Sequence, residues 1–121
     1  MLLEEELTYR IQGCVFEVNK HLGHGFLESV YHNAMLHELR SAGLAVETEK
    51  PVSVLYKGES VGEHRLDLVV ESKVILELKA QSRLNLGAEA QLLNYMKASR
   101  IPLGMLINFT APRATIKRLV L

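Results

Sequence analysis

The stretch Arg65-Leu-Asp-Leu-Val-Val-Glu-Ser-Lys-Val-Ile-Leu-Glu-Leu-Lys79 decides how this chain folds. Two apolar runs flank a polar break at Glu71, Ser72 and Lys73. Before the break Leu66, Leu68 and Val70 alternate with Arg65, Asp67 and Val69; after it Val74, Leu76 and Leu78 alternate with Ile75, Glu77 and Lys79. Period-two alternation in two short runs around a polar turn predicts a β-hairpin with one buried face. With the turn centred on Ser72, Asp67 falls opposite Glu77, the Cα atoms roughly 4.5–5.5 Å apart and both side chains on one face. Lys79 shares that face about 6.6 Å further along. An Asp, a Glu and a Lys therefore converge on a sheet surface backed by Leu, Val and Ile.

Facing carboxylates repel unless something neutralises them. A hard divalent cation does so: magnesium takes one or two carboxylates plus waters and phosphate oxygens, at about 2.0–2.1 Å. A lysine beside it can orient or deprotonate an attacking water and offset charge on a transferring phosphate. The plainer account of the same residues is a solvated hairpin face with a cross-strand Glu–Lys pair.

Working outward, the residues before the hairpin predict two helices and a strand region. Leu7, Ile11, Val15, Val18 and Leu22 recur at helical spacing with Cys14 beside them, so a helix is expected from Glu4 to Leu22, opened by glutamates that suit the positive end of its dipole. Gly23-His24-Gly25 breaks it. A second helix is expected over 26–42, with Leu27, Val30, Ala34 and Met35 as its apolar stripe and Gly43 as its cap. Residues 46–49 and 52–56 read as strand interrupted at Pro51, which suits an edge or a bulge. Lys57-Gly58-Glu59-Ser60 is a turn, and 61–70 leads into the hairpin. After it, 81–87 is a polar loop, 88–99 a helix and 103–109 a buried strand; residues 116–121 fit either a short strand or a helical tail. The expectation is an α/β fold, a mixed central sheet flanked by helices in the order α-α-β-β-β-α-β, as one domain over residues 1–121.

Composition narrows the function classes. Fourteen Lys and Arg balance fourteen Asp and Glu, so the formal net charge is zero, and the chain is not built for non-specific adhesion to a polyanion. Arg113, Lys117 and Arg118 are one candidate for a local basic patch. A single cysteine, Cys14, excludes an internal disulfide and fits a reducing compartment; no apolar run reaches membrane-spanning length, and a cytoplasmic location is expected.

Two further pairs stand out. Glu28 and Tyr31 are three apart at the start of the second helix, and Gln91 and Tyr95 four apart on the third, so each pair shares a helix face. Gln and Tyr supply donors and acceptors suited to a phosphate, a base or a metal-bound water. Dipole compensation by Glu28, a half-buried Tyr31, an exposed Gln91 and an amphipathic Tyr95 are the ordinary alternatives.

Glu28, then Asp67…Glu77-x-Lys79, then Gln91-x-x-x-Tyr95, in that order, resembles the restriction-endonuclease-like PD-(D/E)XK nuclease superfamily, particularly its RecB-type exonuclease branch. Gly25-x-x-Glu28-x-x-Tyr31 is similar to the signature of the GxxExxY protein family, and the likeness runs from about Leu7 to Leu119. The resemblance implies Asp67, Glu77 and Glu28 as ligands of Mg2+ or Mn2+, and Lys79 as the catalytic lysine acting with those three acids. It implies Gln91, Tyr95 and Tyr31 as substrate-side residues. Leu66 stands where the superfamily has Pro, and His24 where the GxxExxY family usually has Pro.

The implied activity is metal-dependent hydrolysis of phosphodiesters, with DNA as the partner. The competing reading is a nuclease-fold module that binds nucleic acid or protein with little or no catalysis, which zero net charge favours. A homo-oligomer, or a protein partner lending basic surface, would reconcile the two. His24 and His64 lie near Glu28 and Asp67 in sequence, and each reads as an ordinary surface histidine.

Overall fold

The structure, a computed structural model, describes residues 3–121. Its elements are α1 (Glu5–Leu22), α2 (Glu28–Ser41), β1 (Val46–Tyr56), β2 (Glu59–Val70), β3 (Val74–Lys79), α3 (Ala88–Ser99), β4 (Leu103–Asn108) and β5 (Thr115–Val120). The strands form one sheet in the order β1-β2-β3-β4-β5, antiparallel except for the parallel β3–β4 pair, which α3 bridges. Residues 116–121, open between strand and helical tail, contribute most of edge strand β5.

One sheet face carries α1 and α2. Ile11, Val15 and Val18 of α1 and Tyr31, Met35 and Leu39 of α2 pack there on Leu68, Val70, Leu76, Leu78, Met105 and Ile107. The apolar stripe of α2 therefore differs from the expected one. Leu27 and Val30 are exposed, and the buried line runs 31–35–39. The helix begins at Glu28, two residues later than expected, and Tyr31 enters the core as its largest buried side chain. The end of α2 is as expected. Gly43 takes φ 82°, its N–H donates to the Arg40 carbonyl and the Leu44 N–H to that of Leu39, the paired bonds of a Schellman motif.

The opposite face carries α3, whose Leu92 and Met96 pack with Leu66, Val69, Ile75, Leu106 and Leu119. This helix lies close on the sheet. A Cβ added to Gly104 of β4 would stand 2.8 Å from the Met96 sulfur and 3.2 Å from Leu92. Gly104 thus sets the height of α3, and with it the position of Gln91 and Tyr95.

β1 is an edge strand, as Pro51 suggested, but Pro51 does not break it; Pro51 pairs with Arg65. The irregularities lie elsewhere. Glu49 takes φ 50°, and Glu49 and Asp67 are both left out of the β1–β2 pairing. A register shift follows at Val54/Leu55. The expected basic patch near the end of the chain is largely committed internally: Lys117 pairs with Glu89 at 2.6 Å, and Arg118 donates to the Thr8 hydroxyl and the Leu3 carbonyl.

Candidate functional site

The hairpin has the expected register, but its charged residues do not sit together on one flat face. Pairs Val70↔Val74, Val69↔Ile75 and Leu68↔Leu76 extrapolate to Asp67 opposite Glu77. The regular ladder ends at Leu68↔Leu76. Beyond it the Asp67 carboxylate reaches across and accepts the Leu78 N–H at 2.9 Å. Asp67 then lines a cleft with Glu28, Ser29, His32 and Asn33 of α2 and Glu49 of β1. Lys79 lines a cavity on the α3 side with Asn85, Gly87, Ala88 and Gln91. Asp67 and Lys79 thus line separate clefts, reached from neighbouring residues Leu78 and Lys79 of β3, in place of the flat single face expected.

Glu77 lies between them and is 4% exposed. Burial, the Asp67 charge and the Glu28 charge push its carboxyl up to about 8, while Lys79 and a backbone hydrogen bond from Asp67 pull the other way. Its Oε1 has no hydrogen-bond partner. A buried polar atom left so costs about 1–3 kcal/mol, more when charged, so its persistence calls for an explanation. Glu28 is likewise raised, by burial and then by Asp67, against Lys79 and His32. Tyr95 is raised by burial, then by Glu77 and Asp67. Glu28, Asp67, Glu77, Lys79 and Tyr95 are thus electrostatic neighbours, although they come from α2, β2, β3 and α3.

His64, expected as an ordinary surface histidine, belongs here instead, together with His32 and Glu49, which the sequence did not single out. His64 stacks on Tyr95 with centroids 3.6 Å apart and planes 9° off parallel, and its Nε2 faces Glu77 Oε1 at 3.8 Å. That gap is too long for a hydrogen bond, and His64 Nε2 too has no partner. Burial lowers the His64 pKa, with Lys79 adding to the lowering while Asp67 and Glu49 raise it. His32 Nε2 lies 3.1 Å from the Asp67 carbonyl and 3.9 Å from Glu49, tying α2 to the same point. His64 was hidden because strict alternation puts it and Asp67 on opposite faces. The alternation slips at the unpaired Glu49 and Asp67, so that Leu66 and Val69 share one core cluster.

Tyr31 is a correction. It is fully buried, stacks on Phe109 at 4.4 Å, donates to the Gly23 carbonyl at 2.8 Å and accepts the Phe26 N–H at 3.3 Å. With every polar contact spent on residues 23–26 and no surface left, it holds the loop that places Glu28 and has nothing to offer a substrate.

A divalent cation fits this donor set. The unpartnered oxygen of Glu77 and the carboxylate of Asp67 are hard oxygen donors, with Glu28 close enough to raise Glu77 and to be raised, after burial, by Asp67. Among the described residues no three His, Cys, Asp or Glu side chains are already gathered as a cage. Two carboxylates completed by waters is the arrangement magnesium commonly takes.

The sequence profile of the PD-(D/E)XK nuclease superfamily matches residues 5–119. No curated protein matches the chain. A solved structure titled "Crystal structure of SSO0001" shares the fold at 17% identity and a TM-score of 0.63, covering 76% of this chain; the chain spans 48% of that one's length. No helix among the described residues is long and apolar enough to cross a membrane.

Proposed function

Since the chain belongs to the PD-(D/E)XK nuclease superfamily, we propose that it is a metal-dependent nuclease that hydrolyses phosphodiester bonds, with DNA as its substrate. Within the superfamily, Gly25-x-x-Glu28-x-x-Tyr31 supports a kinship with the GxxExxY proteins. The observation that carries the reading is the buried, unpartnered Glu77 oxygen beside Asp67 and Lys79. A protein that used these groups only for structure would have paired that atom.

In this reading Asp67 and Glu77 hold Mg2+ or Mn2+, and Glu28 supplies a third carboxylate or fixes a metal-bound water. When bound there, such an ion would supply Lewis acidity toward a water and the phosphate. The protein's own contribution is positional. The Leu78 N–H fixes the Asp67 carboxylate, and His32 fixes the backbone beneath it. Lys79 presents an ammonium to the developing negative charge. Gln91 lines the same cavity as Lys79 and offers its amide to the phosphate backbone, and the stacked His64 holds the Tyr95 ring in place.

A second reading, a binding module without catalysis, is favoured by the zero net charge. Supercoiled and linear, single- and double-stranded substrates with magnesium and then manganese separate the two. Cleavage that disappears in Lys79→Ala establishes the nuclease; metal binding without cleavage of any substrate establishes the module.

A further inference from the structure

A groove of about 790 Å3 opens beside the acidic cluster, between α3 and the β1 edge. Its walls are Ser53, Val54 and Leu55 on one side and Ala90, Gln91, Asn94, Tyr95, Lys97, Ala98 and Arg100 on the other. Consecutive strand residues normally point to opposite faces. Here the register shift at Val54/Leu55 turns both toward the groove. Leu55 is 64% exposed and Val54 is exposed too, at the end of the β1–β2 ribbon that runs past β3. The bulge thus spends sheet regularity on an open apolar wall, and such walls mark contact surfaces.

The charge of the groove is one-sided. Lys97 and Arg100 line it, no carboxylate does, and neither cation takes part in an ion pair among the described residues. In a chain of zero net charge this is a local cationic strip. It is also continuous with the site. Gln91 lines both the groove and the Lys79 cavity, and Tyr95 lines the groove while stacking on His64, which faces Glu77.

Resting on the nuclease reading above, we propose that this groove seats the single-stranded flank of a nucleic-acid substrate. Bases lie on the wall of Val54, Leu55, Ala90 and Ala98, and phosphates run along Lys97 and Arg100 towards Lys79. The apolar wall selects the single strand. A duplex hides its base faces and presents phosphates and groove edges, for which Leu55 and Val54 offer nothing, whereas unpaired bases have free faces to bury. Asn94 and Gln91 add amides that reach base edges or phosphate oxygens of any sequence, so binding is tolerant of sequence.

The test is fluorescence anisotropy in EDTA, where no metal-dependent cleavage interferes, with a labelled oligothymidylate and a labelled duplex of the same length. The comparison is wild type, Lys97→Gln/Arg100→Asn, and Leu55→Asp, with circular dichroism to confirm folding. Asn is chosen at position 100 because Arg100 caps α3 at φ 62°, which Asn tolerates. The groove predicts that wild type prefers the single strand, that each variant loses at least about tenfold in affinity for it, and that the double variant's salt slope falls by about 1.4, at about 0.7 per lost contact. Equal affinity for duplex, or variants that bind the single strand as wild type does, overturns it. So does a concentration-dependent dimer that Leu55→Asp dissolves, because a second copy then fills the groove. If wild type and groove variants cut duplex alike, the groove assignment fails and the nuclease stands; if groove binding behaves as expected and no substrate is cut, the reverse holds.

Discussion

Asn108 and Glu77 are buried polar residues on neighbouring parallel strands, 3% and 4% exposed, and they are opposites. The Asn108 side-chain oxygen accepts the Gln81 N–H and its amide donates to the Gln81 carbonyl, both at 2.9 Å, so it pins the chain leaving β3. Glu77 has an oxygen that nothing satisfies and two carboxylates that perturb it. Thr8, the other buried polar residue, bonds the Glu5 carbonyl and Arg118. Asn108 and Thr8 thus spend their polar groups on structure, whereas the β2–β3 opening keeps two atoms unpaired, His64 Nε2 and Glu77 Oε1. That difference sets Glu77 apart: a fold that satisfies Asn108 and Thr8 leaves an oxygen of Glu77 without a partner, which is what the proposed site requires.

The largest expected effect tests the site side. Lys79→Ala should lower the cleavage rate by about 10²–10⁴-fold, the usual worth of a positioned proton-transfer group, while metal still binds. Single-turnover cleavage alongside calorimetry reads both. A rate within a few-fold of wild type removes Lys79 from the chemistry.

The scaffold side gives the next effect. Asn108→Ala leaves the Gln81 N–H and carbonyl without partners and should cost about 1–3 kcal/mol in urea unfolding. Gly104→Ala presses a methyl against Met96 and Leu92 and should cost a similar amount, about 1–3 kcal/mol. It should also weaken activity, because α3 carries Gln91 and Tyr95.

A pH series sharpens the contrast. Glu77 in the folded, metal-free protein keeps its proton up to about 8, while the unfolded chain releases it near its ordinary value of 4.5. Over that window the folded state binds more protons, so stability is full below it and falls as pH rises through it. Urea midpoints of the metal-free protein should therefore decline between about pH 5 and pH 8. Glu77→Gln should flatten the decline, and Asn108→Ala should leave its slope unchanged. A wild-type profile that rises over this range contradicts the placement of Glu77.

The smallest effect concerns Tyr31. Tyr31→Phe removes the bond to the Gly23 carbonyl and should cost about 0.5–1.5 kcal/mol, with metal affinity little changed.

The hairpin, its register and the 88–99 helix were legible because alternation and helical spacing are local properties of residues that face one core. Asp67 opposite Glu77 followed from the turn at Ser72 alone. The α2 stripe was misjudged because Tyr31 counts as half polar by composition, and only the stacking on Phe109, seventy-eight positions away, makes it core. His64 stayed hidden because a single unpaired step at Glu49 and Asp67 reverses the parity on which face assignments depend. The groove beside α3 depends on a bulge at Val54/Leu55, and no residue there announces one.

The central claim, that the unpartnered oxygen of Glu77 and the carboxylate of Asp67 take a cation, is tested most directly by calorimetric titration of Mg2+ and Mn2+ near neutral pH, in two buffers of different ionisation enthalpy. Wild type should bind and release protons as the ion displaces the one on Glu77. Asp67→Asn, which keeps an oxygen for the Leu78 N–H, and Glu77→Gln should each bind far more weakly. Wild-type protein that takes up neither ion, or variants that bind as well as wild type, would contradict the account.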